Sequence, residues 1–181
     1  MKNAILTMLL LSLTIVNAQK INQEIKTEKG YQFLIGPINI KGLQNEPYVK
    51  WFQASYENYC VDKSLTKMIK KQLKEYQITL FLGTWCSDSK REVPRIIKIL
   101  NEAQFPIQNL TIIALDRRKE FYKKSPDGEE KGLNIIRVPT LIFFKNGKEI
   151  NRITESPIAS LEEDMLAILS GENYIPNYSS K

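Results

Sequence analysis

A chain of 181 residues, 43% hydrophobic and 25% charged, suits one ordinary folded domain plus an extension. That composition excludes collagen-like, disordered and disulfide-dense classes. The formal net charge of +6 is spread among acids, as in SLEEDM and DGEEK, which describes a solvated basic surface rather than a nucleic-acid footprint.

Residues 1–18 read as a secretory signal peptide. Lys2 opens it, residues 4–16 form an apolar run of 13, and Val16-Asn17-Ala18 supplies a small-residue cleavage site. A membrane span needs ~20 apolar residues, so this run is too short to remain as an anchor. No stable span is expected after cleavage, and the loss of Lys2 would leave a net charge of about +5. The sequence therefore predicts a periplasmic or secreted protein, a setting in which cysteines are oxidised or used in redox chemistry.

Residues 19–61 are expected to form an amino-terminal extension. Residues 19–30 read as a loose polar leader, and residues 31–40 as a strand that Gly36-Pro37 bends or confines to an edge. Asn45-Glu46-Pro47 reads as the start of a helix with proline in its first turn. In that helix Tyr48, Phe52, Tyr56 and Tyr59, with Trp51, form an aromatic face. The face suits core packing, with a peptide-binding surface as the alternative.

The main domain is expected over residues 62–170. Asp62 should cap a helix in which Leu65, Met68, Ile69 and Leu73 share a side. Residues 78–82 form a short apolar run, as in a buried central strand. Residues 87–103 read as a helix kinked at Pro94, with Val93, Ile96, Ile97 and Leu100 on its inner face. Residues 110–115 are a second buried strand, 117–124 a short helix, and Ser125-Pro126-Asp127-Gly128 a turn. Lys123, Lys124, Glu129 and Glu130 read as charges that keep this loop soluble. Asp116 reads as a loop cap or an acid near the site, and Arg137 as a surface charge that could steer acidic partners. Residues 141–144 are a third strand, turning at Asn146-Gly147 into residues 148–153. Ser156 is expected to cap a last helix that stops before Gly171, leaving residues 171–181 as a poorly ordered tail.

Two cysteines, Cys60 and Cys86, and no histidine remove Ser-His and Cys-His nucleophile pairs, histidine metal sites and a zinc site. No metal and no cofactor is implied. Cys86 lies in GTWCSDSK, where a buried strand meets a helix. Unpaired N–H groups and the helix dipole favour negative charge on a sulfur there. Ser89, one turn on, is placed to donate a hydrogen bond to it. Lys90 and Arg91 add positive charge, while Asp88 opposes the thiolate if it points inward.

The order strand, helix, strand, two antiparallel strands, helix, together with these residues, resembles the thioredoxin family over residues 62–170. Trp85-Cys86 sits where thioredoxins place their tryptophan and nucleophilic cysteine. Pro94 stands eight residues on, matching the kinking proline of the active-site helix. Arg137-Val138-Pro139-Thr140 matches the segment that holds a cis-proline, and LIFFKNGKEI matches the closing hairpin. The resemblance implies an α/β, thioredoxin-like fold: a central mixed sheet flanked by helices, here with an amino-terminal helical extension.

It also implies catalytic roles for Cys86 and Ser89, and substrate binding by Trp85, Val138 and Pro139. The chain departs from the family in two places. Ser89 stands where the family has its second cysteine, and Leu80 where it keeps a buried acid. A lone thiol can form a mixed disulfide, released by the substrate's own thiol, by an external thiol reductant, or by Cys60. Cys60 is thus a candidate resolving thiol; it is otherwise a buried small hydrophobe or an exposed thiol. The expected activity is monothiol or isomerase-like thiol–disulfide exchange, with protein thiols or disulfides as partners. The alternative is a non-enzymatic module of the same fold that binds a protein partner.

Overall fold

The computed structural model describes residues 20–179, so the signal segment expected at 1–18 lies outside the described residues. Its centre is a six-stranded sheet in the order β1-β2-β4-β3-β5-β6. The strands are β1 Gln23–Lys26, β2 Gln32–Ile38, β3 Gln77–Leu82, β4 Leu110–Ala114, β5 Thr140–Lys145 and β6 Lys148–Thr154. The helices are α1 Ile40–Leu43, α2 Val49–Asn58, α3 Lys63–Gln72, α4 Ser87–Glu102 and α5 Leu161–Leu169. The central strand β3 runs parallel to β4 and antiparallel to β5, and β5 returns as β6. This is a thioredoxin-like fold carrying an amino-terminal extension.

Period-2 alternation divides the core between the two faces of the sheet. Ile78, Leu80 and Leu82 of β3, with Ile112 of β4 and Leu141 and Phe143 of β5, join the cluster that holds the buried residues of all five helices. Phe81, Ile113 and Ile142 point the other way and pack with Leu115 and Val138. That second face is covered by the irregular segment between β4 and β5, which contributes Leu133 and Ile135.

The extension is built into the first face. Tyr48, Phe52 and Leu43 are buried, and Trp51, Tyr56 and Tyr59 pack against the same cluster, so the aromatic face is core. Phe52 stacks on Tyr56 with ring centroids 5.9 Å apart. β2 is bent rather than marginal. Gly36, at φ +70°, divides a first half paired with β1 from a second half paired with β4.

Several expectations differ in detail. Residues 23–26, read as loose leader, form β1, because Gln23 to Lys26 pair in register with β2. The Glu46–Pro47 bond is cis, and α2 starts only after Tyr48. Met68 is 46% exposed, since α3 turns Thr66, Ile69 and Leu73 inward instead. The helix expected at 117–124 is reduced to a short 3-10 turn, Lys119–Phe121. Its backbone groups are taken by a return pairing: Lys123 N–H donates to the Asp116 carbonyl and Asp116 N–H to the Lys124 carbonyl, both at 2.9 Å.

The last helix is capped by Ser160, not Ser156. The Asp164 carboxylate accepts from the Ile158 and Ala159 N–H groups and so holds residues 158–159 in a loop before the helix. The tail is tied down as well: the Tyr174 hydroxyl donates to Asp164 at 2.7 Å and the Asn177 amide to the Ser156 carbonyl at 2.9 Å.

Besides the exposed Tyr178, three phenols with partly or fully buried rings donate to carboxylates: Tyr48 to Glu24 (2.8 Å), Tyr59 to Glu162 (2.6 Å) and Tyr174 to Asp164. Burial, then the hydrogen bond to the carboxylate, pushes each phenol well above its ordinary value near ~10. A raised folded-state value means that the stabilisation is complete below pH ~10. It is lost above it, where the unfolded chain releases protons that the folded chain retains. Stability should therefore fall between pH 10 and 12 by at most ~1.4 kcal/mol per pH unit for each tyrosine, and by less for the half-exposed Tyr59 and Tyr174. Urea titrations at pH 9, 10 and 11 measure this, and Tyr48→Phe should flatten the slope.

Candidate active site at the mouth of helix α4

The site begins with a tight turn off β3. Cys86 N–H donates to the Gly83 carbonyl at 2.9 Å, and Cys86, in extended conformation, becomes the residue preceding the first turn of α4. Gly83 is required by what lies on it. A Cβ there would stand 2.6 Å from Cε2 of the Trp85 indole. The indole is fixed at its other end by Nε1–H donating to the Leu115 carbonyl at 2.8 Å, and the Tyr122 ring lies against it at 5.5 Å. The buried Thr84 hydroxyl accepts from Leu34 N–H at 3.1 Å and ties this turn to β2.

The Cys86 sulfur is half-buried and free. It donates to the Val138 carbonyl at 3.2 Å and lies 4.0 Å from Oδ2 of Asp88. The Val138–Pro139 bond is cis, and both residues are buried beside the sulfur. The structure thus brings Trp85, Cys86, Val138 and Pro139 together. Ser89 is completely buried in the same turn, but its hydroxyl accepts from Gly83 N–H at 3.2 Å and makes no hydrogen bond with the sulfur. The Ser89 oxygen therefore serves the backbone as an acceptor rather than the sulfur as a donor.

Cys60 is not brought to Cys86. It is exposed, just past α2, and its neighbour Tyr59 accepts through its carbonyl from the Lys98 amine at 2.7 Å. Lys98 lies about 12 residues along α4 from Cys86, roughly 18 Å at ~1.5 Å per residue. Cys60 is thus an exposed free thiol rather than a buried hydrophobe, and it forms no disulfide with Cys86.

No family model and no curated protein matches the chain. Solved structures give likenesses of chain path at low identity. A protein of unknown function from Pseudomonas aeruginosa, PA1234, is 16% identical over 68% of this chain and 81% of its own, with a TM-score of 0.47. Thioredoxin O2 from Arabidopsis thaliana, in the oxidised state, is 20% identical over 57% and 85%, with a TM-score of 0.37. Mitochondrial thioredoxin 3 from Saccharomyces cerevisiae, in the oxidised form, is 23% identical over 61% and 96%, with a TM-score of 0.35.

The residues that sequence reasoning did not place at the site come from far along the chain. Lys123, read as a solvated loop charge, is half-buried: its ammonium donates to the Ile136 carbonyl and stands 5.1 Å over the Tyr122 ring. Burial, then the nearby Arg137, lowers the Lys123 ammonium below its ordinary value, and attraction to Cys86 and Glu155 opposes this. Glu130, also read as a loop charge, accepts from the Ser125 N–H and hydroxyl and closes the turn at 125–128.

Arg137 remains a surface cation, 3.9 Å from Glu155 and stacked 4.7 Å over Tyr178 of the tail. The Tyr178 hydroxyl donates to Glu155. Asp116 is the loop cap: it accepts from Arg118 N–H at 2.7 Å and pairs with its guanidinium.

Proposed function

We propose that this protein carries out thiol–disulfide exchange outside the cytosol through the single nucleophile Cys86. The observation that carries this is the half-exposed sulfur at the mouth of α4, 3.2 Å from the Val138 carbonyl. The export part of the reading rests on residues 1–18. An extended substrate chain lying beside residue 138 would bring its disulfide to the sulfur.

The Cys86 thiol first gives its proton to solvent. The thiolate then attacks one sulfur of a substrate disulfide, forming a Cys86–substrate disulfide and releasing the other sulfur as a thiolate, which takes up a proton. In release, a second substrate thiolate or an external small thiol attacks the mixed disulfide, and Cys86 leaves as thiolate. With the substrate's own thiol the cycle is an isomerisation with no net redox change. With an external thiol the substrate is reduced and the thiol oxidised. Ser89 cannot perform the second attack, since a hydroxyl forms no disulfide, and Cys60 is a free, exposed thiol past α2.

The test is to mix the protein with a scrambled or oxidised protein substrate in a thiol buffer and compare wild type with Cys86→Ala. Wild type should give a covalent adduct that dithiothreitol reverses, and Cys86→Ala none. Equal behaviour of the two would defeat the enzymatic reading and leave a binding module of the same fold.

A further inference from the structure

We propose that Lys123 is the charge partner of the Cys86 thiolate. This deepens the exchange reading and rests on Cys86 being its nucleophile.

The argument starts from what surrounds the sulfur. Its two polar neighbours, the Val138 carbonyl at 3.2 Å and the Asp88 carboxylate at 4.0 Å, are both acceptors. The Ser89 hydroxyl is held on Gly83 N–H. These groups suit a thiol that donates, and both repel a sulfur that has lost its proton. The mouth of α4 must then offset a carbonyl dipole and a carboxylate, so a nearby cation has something to contribute.

The nearby cations differ in how far they are already committed. Arg91 is 2.9 Å from Asp88 and 2.5 Å from Glu92, and Arg118 is 2.6 Å from Asp116. Arg137 is 3.9 Å from Glu155 and covered on one side by Tyr178. Lys90 sits one turn along α4, half-buried. Lys123 has no carboxylate within ion-pair distance among the described residues, and its amine rests on a neutral carbonyl, that of Ile136. That carbonyl lies two residues before the one the sulfur uses, about 7 Å away along extended chain. The preceding Tyr122 lies against Trp85 beside the nucleophile, and attraction to Cys86 raises the Lys123 ammonium against the lowering by burial and Arg137.

The backbone is built to hold the amine there. Lys123 is at φ +58°, uncommon for a side chain of its size, and its N–H is bonded to the Asp116 carbonyl. The preceding ring, Tyr122, lies on Trp85 next to the nucleophile. A half-buried ammonium on a neutral acceptor gains most when a negative charge arises beside it. Ionisation of Cys86 supplies that charge, and so does departure of the same sulfur in the release step.

The experiment measures alkylation of Cys86 by iodoacetamide against pH, in a Cys60→Ser background so that one thiol reacts. Lys123→Met should slow alkylation at pH 7 about tenfold and displace the rate–pH profile towards alkali. Lys123→Arg should restore most of the rate. Raising the salt concentration should slow wild type and leave Lys123→Met nearly unchanged. Thermal melts establish that the variants are folded, and Lys123→Gln, which keeps a donor for Ile136, repeats the test if Met does not fold. Wild-type rates and pH profile in folded Lys123→Met or Lys123→Gln overturn the proposal, even if Cys86-dependent exchange is intact. Lys123-dependent alkylation without any exchange on a protein disulfide upholds it and instead defeats the exchange reading.

Discussion

Ser89→Cys is expected to convert the site to a dithiol reductase, raising the rate of protein-disulfide reduction with dithiothreitol roughly 100-fold or more. In wild type each mixed disulfide must wait for a thiol from outside. A thiol at 89 sits one helical turn from Cys86, and well-placed intramolecular groups act at effective concentrations far above the ~1 mM of an added reductant. Position 89 is completely buried in the turn that carries Cys86, so the new sulfur is shielded from other thiols and reacts chiefly with its neighbour. The substitution weakens one hydrogen bond, from Gly83 N–H at 3.2 Å, and sulfur is a poorer acceptor there, at a cost of ~1 kcal/mol. The oxidised variant should be lighter by two hydrogens and show one thiol on denaturation. Three free thiols after treatment with an oxidant would mean that the positions cannot meet.

Phe52→Ala is expected to cost ~3–5 kcal/mol of stability. Phe52 is 3% exposed and stacks on Tyr56. It also lines a cavity of about 400 Å³ with Val49, Ile97 and Asn101, between the extension and α4. Truncation would enlarge that space instead of letting it collapse. Urea unfolding should show a lower midpoint with an unchanged slope, and Met68→Ala, on the exposed side of α3, should stay within ~0.5 kcal/mol of wild type. A loss below ~1 kcal/mol for Phe52→Ala would mean that α2 is not part of the cooperative unit.

The parts of the fold visible in the sequence are those whose burial is written locally. The runs ITLFL, LTIIA and TLIFF are buried strands, and Val93, Ile96, Ile97 and Leu100 recur at helical spacing on α4. Asn146-Gly147 takes positive φ at both residues, as a two-residue hairpin turn demands. β1 was not visible because QEIK has no apolar pattern of its own: it is an edge strand, specified only by its partner. Ser156 and Ser160 are equally good caps in isolation, and the choice between them is made by the Asp164 carboxylate reaching back. At the site, the position of Cys86 could be read from the join of strand and helix. Lys123 could not, since its place depends on backbone pairing with Asp116 and on a ring contact across the sheet end. The donor role expected of Ser89 toward the sulfur is not seen: its oxygen accepts from Gly83 N–H, because a hydroxyl there can serve backbone or sulfur.

The bare α-carbon at position 83 reaches further than its own turn. Because nothing projects from it, the indole of Trp85 lies flat on the backbone, Tyr122 leans on the indole, and the amine of the next residue is carried to the sulfur's side of the molecule. One extra methyl would tilt this whole pile of rings, so an uncharged residue that touches neither the thiol nor the amine governs how far apart they stand.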